Sequence, residues 1–178
     1  MKNINKQELN KFIEQAKNDK TLLEKEVKVE VSWNFDEKLP QMEATLIYPN
    51  GKTTFNIDQI PNLGGKGLAP NPIQYCLMGL GSCFLSTFAT VCSQLNLNIK
   101  SLKLNIKNKI NLSIPLNLGN EPVTKGIEFE IEIETNEENS KIEEAKTIAI
   151  NSCPAVWCMK NPIPINVNIK QDETNKLN

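Results

Sequence analysis

The stretch NPIQYCLMGLGSCFLSTFATVCSQL, residues 71–95, decides the fold of this chain. Asn71 is a favourable helix N-cap and Pro72 a favourable first helical residue, so a helix is predicted to begin here. No charged residue occurs between positions 75 and 92, and a helix without a charged face is either buried or spans a membrane. Small residues recur along one side of this helix: Gly79, Ser82, Cys83, Ser86 and Thr90. We expect a central helix whose small-residue side another segment approaches closely.

The composition narrows the class of protein. The chain has 178 residues, of which 39% are hydrophobic and 23% charged, and this composition is typical of one globular domain or one subunit of a dimer. A net charge of −1 argues against nucleic acid as a partner. The absence of histidine excludes imidazole chemistry and histidine-ligated metals, and the absence of arginine excludes a bidentate guanidinium clamp.

The start of the chain and its five cysteines indicate the compartment. The N-terminal residues MKNINKQELNK are polar and do not resemble a signal peptide. We therefore expect a cytoplasmic protein with reduced thiols. The serines, threonines and cysteines of the 71–95 helix and the amphipathic strands on both sides of it favour a buried helix over a membrane span.

Alternating and helical patterns predict the elements before the central helix. A helix is predicted at about residues 6–19, with Asn5 as its cap. Three strands should follow, at about residues 27–33, 42–48 and 53–57, with a hairpin turn at Asn50-Gly51 between the last two. Strict alternation predicts an antiparallel sheet with one buried face. The Gly- and Pro-rich residues 58–70 should form a loop.

Similar patterns predict the elements after the central helix. Strands from about residue 102 to 114 and from 127 to 133 should pair, because lysines of the first face glutamates of the second. A helix at 140–152 should begin with a capping box at Ser140, and Ser152 should cap a short helix that starts at Cys153. The alternating apolar residues 163–169 predict a last strand.

This order of elements predicts an α+β fold. A central helix of about 24 residues is roughly 36 Å long, and one such chain would hardly cover it. A homodimer that buries two of these helices against each other is the economical solution. We divide the chain into an N-terminal helical extension (1–25), one domain (26–170) and a polar C-terminal tail (171–178).

Two motifs carry a family resemblance. The stretch LGGKGLAPNPIQYCLMGLGSCF, followed about seventy residues later by NSCPAVWCMKNPIPI, resembles the OsmC/Ohr family of thiol-dependent peroxide-handling proteins. The resemblance covers roughly residues 26–170. It implies an intertwined homodimer in which two antiparallel sheets wrap around two central helices. It also implies that Cys83 is the peroxidatic cysteine, that Cys153 is the resolving cysteine and that an external dithiol is the reductant.

The chain departs from the family in the groups that activate the thiol. In the family's peroxidases an arginine held by a glutamate activates the peroxidatic thiol, and the glutamate belongs to an NPEQ motif. Here the motif reads NPIQ, with Ile73 at that position, and the chain has no arginine. Lys38 or Lys66 are candidates to supply the charge. Three functions stay open: a peroxidase for organic hydroperoxides, a protein that exchanges disulfides or carries sulfur on Cys83, and a binding module for an apolar ligand.

The remaining expectations concern the pocket and the other cysteines. Apolar substrates would suit a pocket whose walls include Phe84, Phe88, Trp157 and Ile73. Cys76 and Cys92 are interpreted as small buried hydrophobes. The cysteine spacings match no usual zinc pattern, so we expect neither a metal nor another cofactor.

Overall fold

A computed structural model describes residues 1–171 as an α+β fold with two antiparallel sheets, and residues 172–178, which hold most of the predicted tail, lie outside the described residues. The elements, in chain order, are helix α1 (Lys6–Asn18), strands β1 (Glu30–Trp33), β2 (Met42–Tyr48) and β3 (Gly51–Ile57), helix α2 (Pro72–Gln94), strands β4 (Ile99–Ile110) and β5 (Thr124–Thr135), and helices α3 (Asn139–Ser152) and α4 (Pro154–Lys160). Short 3₁₀ turns follow α1 and β3, at Lys20–Leu23 and Pro61–Leu63. The predicted fold class is confirmed.

Helix α2 begins where its sequence signals predict. The Asn71 side chain accepts from the Gln74 N–H at 3.0 Å, and the Gln74 side chain accepts from the Asn71 N–H at 2.9 Å. This capping box satisfies donors that a helix start leaves free, and Pro72 follows as the first helical residue. The start of the helix that carries Cys83 is therefore set by local sequence.

The core lies between α2, β4, α3 and α4. Its buried residues are Phe84, Phe88, Val91, Cys92, Leu97, Ile99, Ala145, Ala149 and Cys153. Phe84 also meets Phe129 of β5 edge to face, with ring centroids 5.0 Å apart. By length and composition α2 is apolar enough to cross a membrane, but 39% of its most apolar window is buried against these elements within the one chain.

Strands β4 and β5 form a two-stranded sheet. Lys103 lies opposite Glu132, with 3.1 Å between Nζ and Oε1, and Lys107 lies opposite Glu128. The predicted direct pairing of these strands is confirmed. The predicted length of the first strand is wrong, because β4 ends at Ile110 and residues 113–117 form turns.

Strands β1, β2 and β3 form the other sheet, in that order. Tyr48 pairs with Gly51, so the turn residues between β2 and β3 are Pro49 and Asn50. The hairpin was predicted correctly, but its turn lies one residue earlier than Asn50-Gly51. Strand β1 begins only at Glu30, three residues later than predicted.

The prediction of one buried face on this sheet is wrong for the single chain. Ala44 and Ile57 are its buried residues, while Val31 and Trp33 of β1 are 56% and 53% exposed. The apolar alternation is present, but no described element packs along that face to bury it. The sheet is attached to the rest of the molecule mainly at its β3 end, where Phe55 meets Tyr75 of α2 at 5.8 Å between ring centroids.

The predicted last strand over residues 163–169 is also wrong for the single chain. This segment has no regular structure, and Ile165, Val167 and Ile169 are more than 80% exposed. A strand needs a neighbour to satisfy its N–H and C=O groups. No described strand pairs with this segment, so its alternating pattern is not used within one chain.

Two predicted helix starts need correction. Helix α3 begins at Asn139 with Glu138 as its N-cap, so Ser140 lies inside the first turn and makes no cap bond. Ser152 is the last residue of α3, and its hydroxyl donates to the Ile148 carbonyl at 2.7 Å. Cys153 itself is the N-cap of α4, and Pro154 is the first helical residue.

Candidate functional site

Two cysteines 70 residues apart in the chain meet where α2 and α4 pack together. Cys83 lies in the middle of α2, and Cys153 lies at the junction of α3 and α4. Pro154 disfavours helical backbone at the residue before it, and Cys153 accordingly has the extended angles φ −73° and ψ 119°. The proline therefore ends α3 and sets the direction in which the Cys153 side chain leaves the backbone.

The two sulfur atoms are 3.6 Å apart, and both cysteines are free thiols. A disulfide bond needs about 2.05 Å between its sulfurs, so the two atoms are in contact but not bonded. The predicted closeness of Cys83 and Cys153 is therefore present in the structure. Their assignment as peroxidatic and resolving residues stays a prediction.

The two thiols differ in their access to solvent. Cys153 is fully buried and belongs to the core. Cys83 is half-buried and packs against the same core. An oxidant or an external thiol therefore reaches the pair through Cys83.

The surroundings of Cys83 favour its neutral form. Burial is the largest effect and raises the pKa of the Cys83 thiol, because a thiolate loses hydration in the protein interior. The backbone N–H of Ala155 acts in the opposite direction. The hydrogen bond with Cys153 and the charges of ionised Cys153 and Cys158 raise the pKa of Cys83 further.

Within one chain, neither candidate lysine shifts the pKa of this thiol. The Lys66 side chain donates to the carbonyl oxygen of Glu37, which lies in the loop between β1 and β2. Within residues 1–171, neither Lys38 nor Lys66 is among the groups that shift the pKa of Cys83. No cation of the described chain replaces the arginine of the family's peroxidases.

Of the four predicted pocket walls, Phe84 and Phe88 stack with ring centroids 6.4 Å apart. The role of all four as substrate walls stays a prediction. An apolar pocket of about 480 Å³ lies between α2, β5, α3 and α4, and Phe84 is part of its wall. Phe88 is fully buried in the core, whereas Trp157 and Ile73 are 54% and 41% exposed and lie outside this pocket. The pocket is lined by Leu80, Phe84, Thr124, Gly126, Ile127, Phe129, Ile131, Lys146, Ile150, Val156, Met159 and Lys160, and neither cysteine of the pair borders it.

The other cysteines occupy different environments. Cys92 is fully buried in the core and packs there as a small hydrophobe, as predicted. Cys76 is exposed on α2, so its interpretation as a buried residue is wrong in the single chain. Cys158 is exposed on α4. Among residues 1–171, no three Cys, His, Asp or Glu side chains converge as metal ligands.

Sequence reasoning missed Asp58, which organises the loop that leads into α2. Its Oδ2 accepts from the backbone N–H of Leu68 at 2.9 Å and of Lys66 at 3.1 Å, although the side chain is only 1% exposed. The hydrogen bond from Leu68 is the largest cause of a lowered pKa for Asp58, and burial partly opposes it. An aspartate at the start of a Gly-rich loop is a recognisable turn signal.

The Gly-rich part of this loop requires glycine for steric reasons. A Cβ atom on Gly65 would lie 1.9 Å from the Gln59 carbonyl oxygen, and Gly64 has a left-handed φ of 82°. The LGGKG motif thus allows the chain to fold back on itself over Asp58 before α2 begins.

With this geometry in place, the chain can be compared with known families. The sequence model described as OsmC-like protein matches residues 64–168, a range that contains the glycines of the loop, α2 and both cysteines of the pair. The chain belongs to the OsmC-like protein family. The family resemblance inferred from the two motifs is confirmed.

Solved structures support the same fold. An OsmC-like protein from Mycoplasma pneumoniae shares 20% identity with this chain, with 77% of this chain and 89% of that chain covered and a TM-score of 0.57. A Legionella pneumophila structure, named as an organic hydroperoxide resistance protein OsmC and predicted redox protein, shares 17% identity, with coverage of 77% and 92% and a TM-score of 0.56. A search of curated proteins found no match.

A third structure shows a ligand in this fold. It is described as a putative organic hydroperoxide resistance protein from Vibrio cholerae with captopril bound in one of the active sites. It shares 14% identity with this chain, covers 78% of this chain and 88% of its own, and has a TM-score of 0.52. At these identities the three structures establish the fold of the OsmC-like domain.

Proposed function

We propose that this OsmC-like redox protein is a cysteine-based peroxidase that reduces small organic hydroperoxides. The observation that carries the proposal is the 3.6 Å separation of the Cys83 and Cys153 sulfurs in a family whose relatives include organic hydroperoxide resistance proteins. Two free thiols so close to each other, one accessible and one buried, are the arrangement that a peroxidatic and a resolving cysteine need.

The reaction follows from the positions of the two sulfurs. The Cys83 thiolate attacks one peroxide oxygen, the O–O bond breaks, and the alcohol leaves as Cys83 becomes a sulfenic acid. The Cys153 thiol then attacks the Cys83 sulfur, and the Cys83–Cys153 disulfide forms with release of water. Because Cys153 is already adjacent, it competes with a second peroxide for the sulfenic acid. An external dithiol returns both cysteines to thiols and is itself oxidised to a disulfide.

The partners of this reaction follow from the same features. We propose a homodimer, because the small-residue side of α2 is open in one chain: Gly79, Ser82 and Ser86 are exposed, and no atom lies within 4 Å of a Cβ placed on Gly79. Apolar surroundings of α2 suit a small apolar hydroperoxide. We infer a cytoplasmic protein with no nucleic-acid and no membrane partner, since free thiols and a near-neutral net charge fit that setting.

A second candidate function has its own supporting observation. Burial raises the pKa of Cys83, and no described lysine opposes that effect, so the thiolate fraction at neutral pH is small. Exchange with disulfides also needs the thiolate, but it does not need the arginine that activates the thiol of the family's peroxidases towards peroxide. The alternative function is therefore a thiol- or sulfur-handling protein that uses the same two cysteines.

Intact mass spectrometry distinguishes the two functions. The full chain is treated with stoichiometric tert-butyl hydroperoxide, beside Cys83→Ser and Cys153→Ala variants. A peroxidase loses the mass of two hydrogens as the disulfide forms, Cys153→Ala gains oxygen on Cys83, and Cys83→Ser stays unchanged. If the wild-type mass is unchanged by the hydroperoxide, the peroxidase proposal fails. A mixed disulfide on Cys83 after treatment with hydroxyethyl disulfide then supports the exchange function.

A further inference from the structure

The apolar pocket between α2, β5, α3 and α4 is separate from the cysteine pair, since neither Cys83 nor Cys153 lines it. Its volume is about 480 Å³. Small-molecule sites in proteins commonly have volumes of about 300–1,000 Å³. Leu80 and Phe84 of α2 are buried and form part of its wall. The reaction proposed for the two thiols therefore leaves this pocket without a role.

The side of the pocket formed by β5 is apolar. Ile127, Phe129 and Ile131 line it. The glutamates between them, Glu128 and Glu130, point to the opposite face of the sheet, because successive residues of a strand alternate between faces. None of the lining residues is acidic. An anion that enters the pocket therefore meets no carboxylate in its wall.

Helices α3 and α4 each add one lysine and one aliphatic residue to the wall. Lys146 and Ile150 are four residues apart on α3, and Val156 and Lys160 are four residues apart on α4. Residues at this spacing share one side of a helix. A lysine packs its methylene groups along apolar surface and keeps its ammonium group towards water. The two lysines therefore supply positive charge where the pocket meets solvent.

The two ammonium groups differ in their partners. Lys146 pairs with Glu143, which lies three residues before it on α3. Lys160 is exposed and forms no ion pair with any residue from 1 to 171. Ion pairs between solvent-exposed side chains contribute little free energy. An anionic ligand can therefore meet Lys160 directly and compete with Glu143 for Lys146.

We propose that this pocket binds the anion of a medium-chain fatty acid, with its aliphatic chain among the apolar walls and its carboxylate at Lys146 and Lys160. A single aliphatic chain suits an apolar pocket of this size, and an anionic head suits a wall with two lysines and no acidic residue. A second copy of the chain is the rival occupant, but lysine is depleted in the centres of protein interfaces. The proposal does not depend on the redox function, because the cysteine pair lies outside the pocket.

The first test measures binding of dodecanoate to the full-length protein by isothermal titration calorimetry, below the concentration at which dodecanoate forms micelles. From octanoate to dodecanoate the affinity should rise by up to about fourfold for each added methylene group, the value for complete burial. Dodecyltrimethylammonium has the same chain with a cationic head and should bind about tenfold more weakly. Absence of dodecanoate binding, an affinity independent of chain length, or equal affinities for the two heads overturns the proposal.

The second test uses variants that change charge at solvent-accessible positions. Lys160→Gln and Lys146→Gln should each weaken dodecanoate binding by about fivefold at low salt, the upper end for an exposed ion pair, and should leave binding of uncharged dodecanol unchanged. Lys141→Gln is the matched control, because Lys141 also lies on α3 and pairs with a glutamate but is outside the wall. Met159→Glu places a carboxylate in the wall and should weaken dodecanoate binding further. Wild-type affinity in all three wall variants overturns the proposal.

The pocket and the redox function fail separately. Cys83→Ser should bind dodecanoate as tightly as wild type, and loss of binding in this variant would place the ligand at the thiols and overturn the separate pocket. If tert-butyl hydroperoxide does not oxidise the cysteine pair but dodecanoate binds as expected, the peroxidase function is wrong and the pocket stands. If dodecanoate does not bind and Met159→Glu separates a dimer into monomers, the pocket belongs to an interface between two copies and the proposal is overturned.

Discussion

At the scale of single residues, burial determines how reactive Cys83 is. The family's peroxidases pair the corresponding thiol with an arginine, and this chain contains none. Burial raises the pKa of Cys83, the Ala155 N–H lowers it only in part, and neighbouring thiols raise it again. One pKa unit corresponds to about 1.4 kcal/mol between the two protonation states, so the missing cation has a direct effect on the thiolate population.

The first prediction concerns the pH dependence of Cys83. Because its pKa is raised, the thiolate fraction should increase about tenfold per pH unit from pH 6 to pH 8. The rate of iodoacetamide labelling, followed on the peptide that contains Cys83, should rise by that factor. A rate that is fast and independent of pH over this range would show that the thiolate is already formed at pH 6 and that an unidentified group stabilises it.

The second prediction concerns Ile73. The Ile73→Glu variant restores the family's carboxylate and should leave the rate of peroxide consumption within about twofold of wild type. Position 73 is ten residues before Cys83, about 15 Å along the helix axis. The chain also has no arginine for the carboxylate to hold. Ile73→Gln serves as the uncharged control. A tenfold gain in Ile73→Glu alone would mean that the carboxylate recruits a lysine as the activating cation.

At the scale of elements, the loop between β3 and α2 depends on one buried carboxylate. Asp58 accepts from the N–H groups of Leu68 and Lys66, and its own N–H donates to the Pro70 carbonyl at 3.2 Å. Gln41 adds a second attachment, since its side chain donates to the Gly64 carbonyl and accepts from the Gln59 N–H. These bonds hold the loop in place immediately before the helix that carries Cys83.

The third prediction follows from the lowered pKa of Asp58. A group whose pKa is lower in the folded state than in the unfolded state stabilises the fold above its unfolded pKa, and this stabilisation is lost as the pH falls through its folded pKa. Stability to urea should therefore decrease below the ordinary aspartate pKa of 3.8, and Asp58→Asn should lose stability at pH 7 while showing less of this acid dependence. Asp36→Asn, at an exposed loop position, is the control. Identical acid profiles for wild type and Asp58→Asn would contradict the assignment.

At the scale of the whole molecule, one chain leaves two apolar patterns uncovered. The β1–β2–β3 sheet exposes Val31 and Trp33, and the segment 163–169 exposes alternating apolar residues. The small-residue side of α2 is open as well. A second copy of the chain, as the family resemblance implies, would cover surfaces of this kind and give the unpaired segment a strand to bond with.

The fourth prediction tests that assembly. Light scattering at low micromolar concentration should give twice the mass of a single chain, and amides of residues 163–169 should be protected from hydrogen exchange. Val167→Asp should weaken the dimer by about 2 kcal/mol per subunit, which is the cost of losing one buried aliphatic side chain. Asn166→Asp is the control and should have little effect, because neighbouring residues of a strand point to opposite faces. A stable folded monomer, or equal effects of the two substitutions, would refute the predicted interface.

Local signals explain what the sequence by itself determined. The cap at Asn71, the proline after it and the uncharged run define α2, because helix starts depend on a few adjacent residues. The lysine and glutamate alternation identified the pairing of β4 with β5, because paired strands place such residues opposite each other. The two cysteine motifs were enough to identify the OsmC-like family, which the match over residues 64–168 confirms.

The tertiary structure alone decided the features that depend on distant segments. Periodicity shows that a strand has an apolar side, but burial requires another element to cover it, and β1 and residues 163–169 have none within one chain. The 3.6 Å between Cys83 and Cys153, the position of Phe84 in the wall of an apolar pocket, and the buried Asp58 all result from packing between elements. Distances between residues far apart in the chain are set by that packing, which no local pattern encodes.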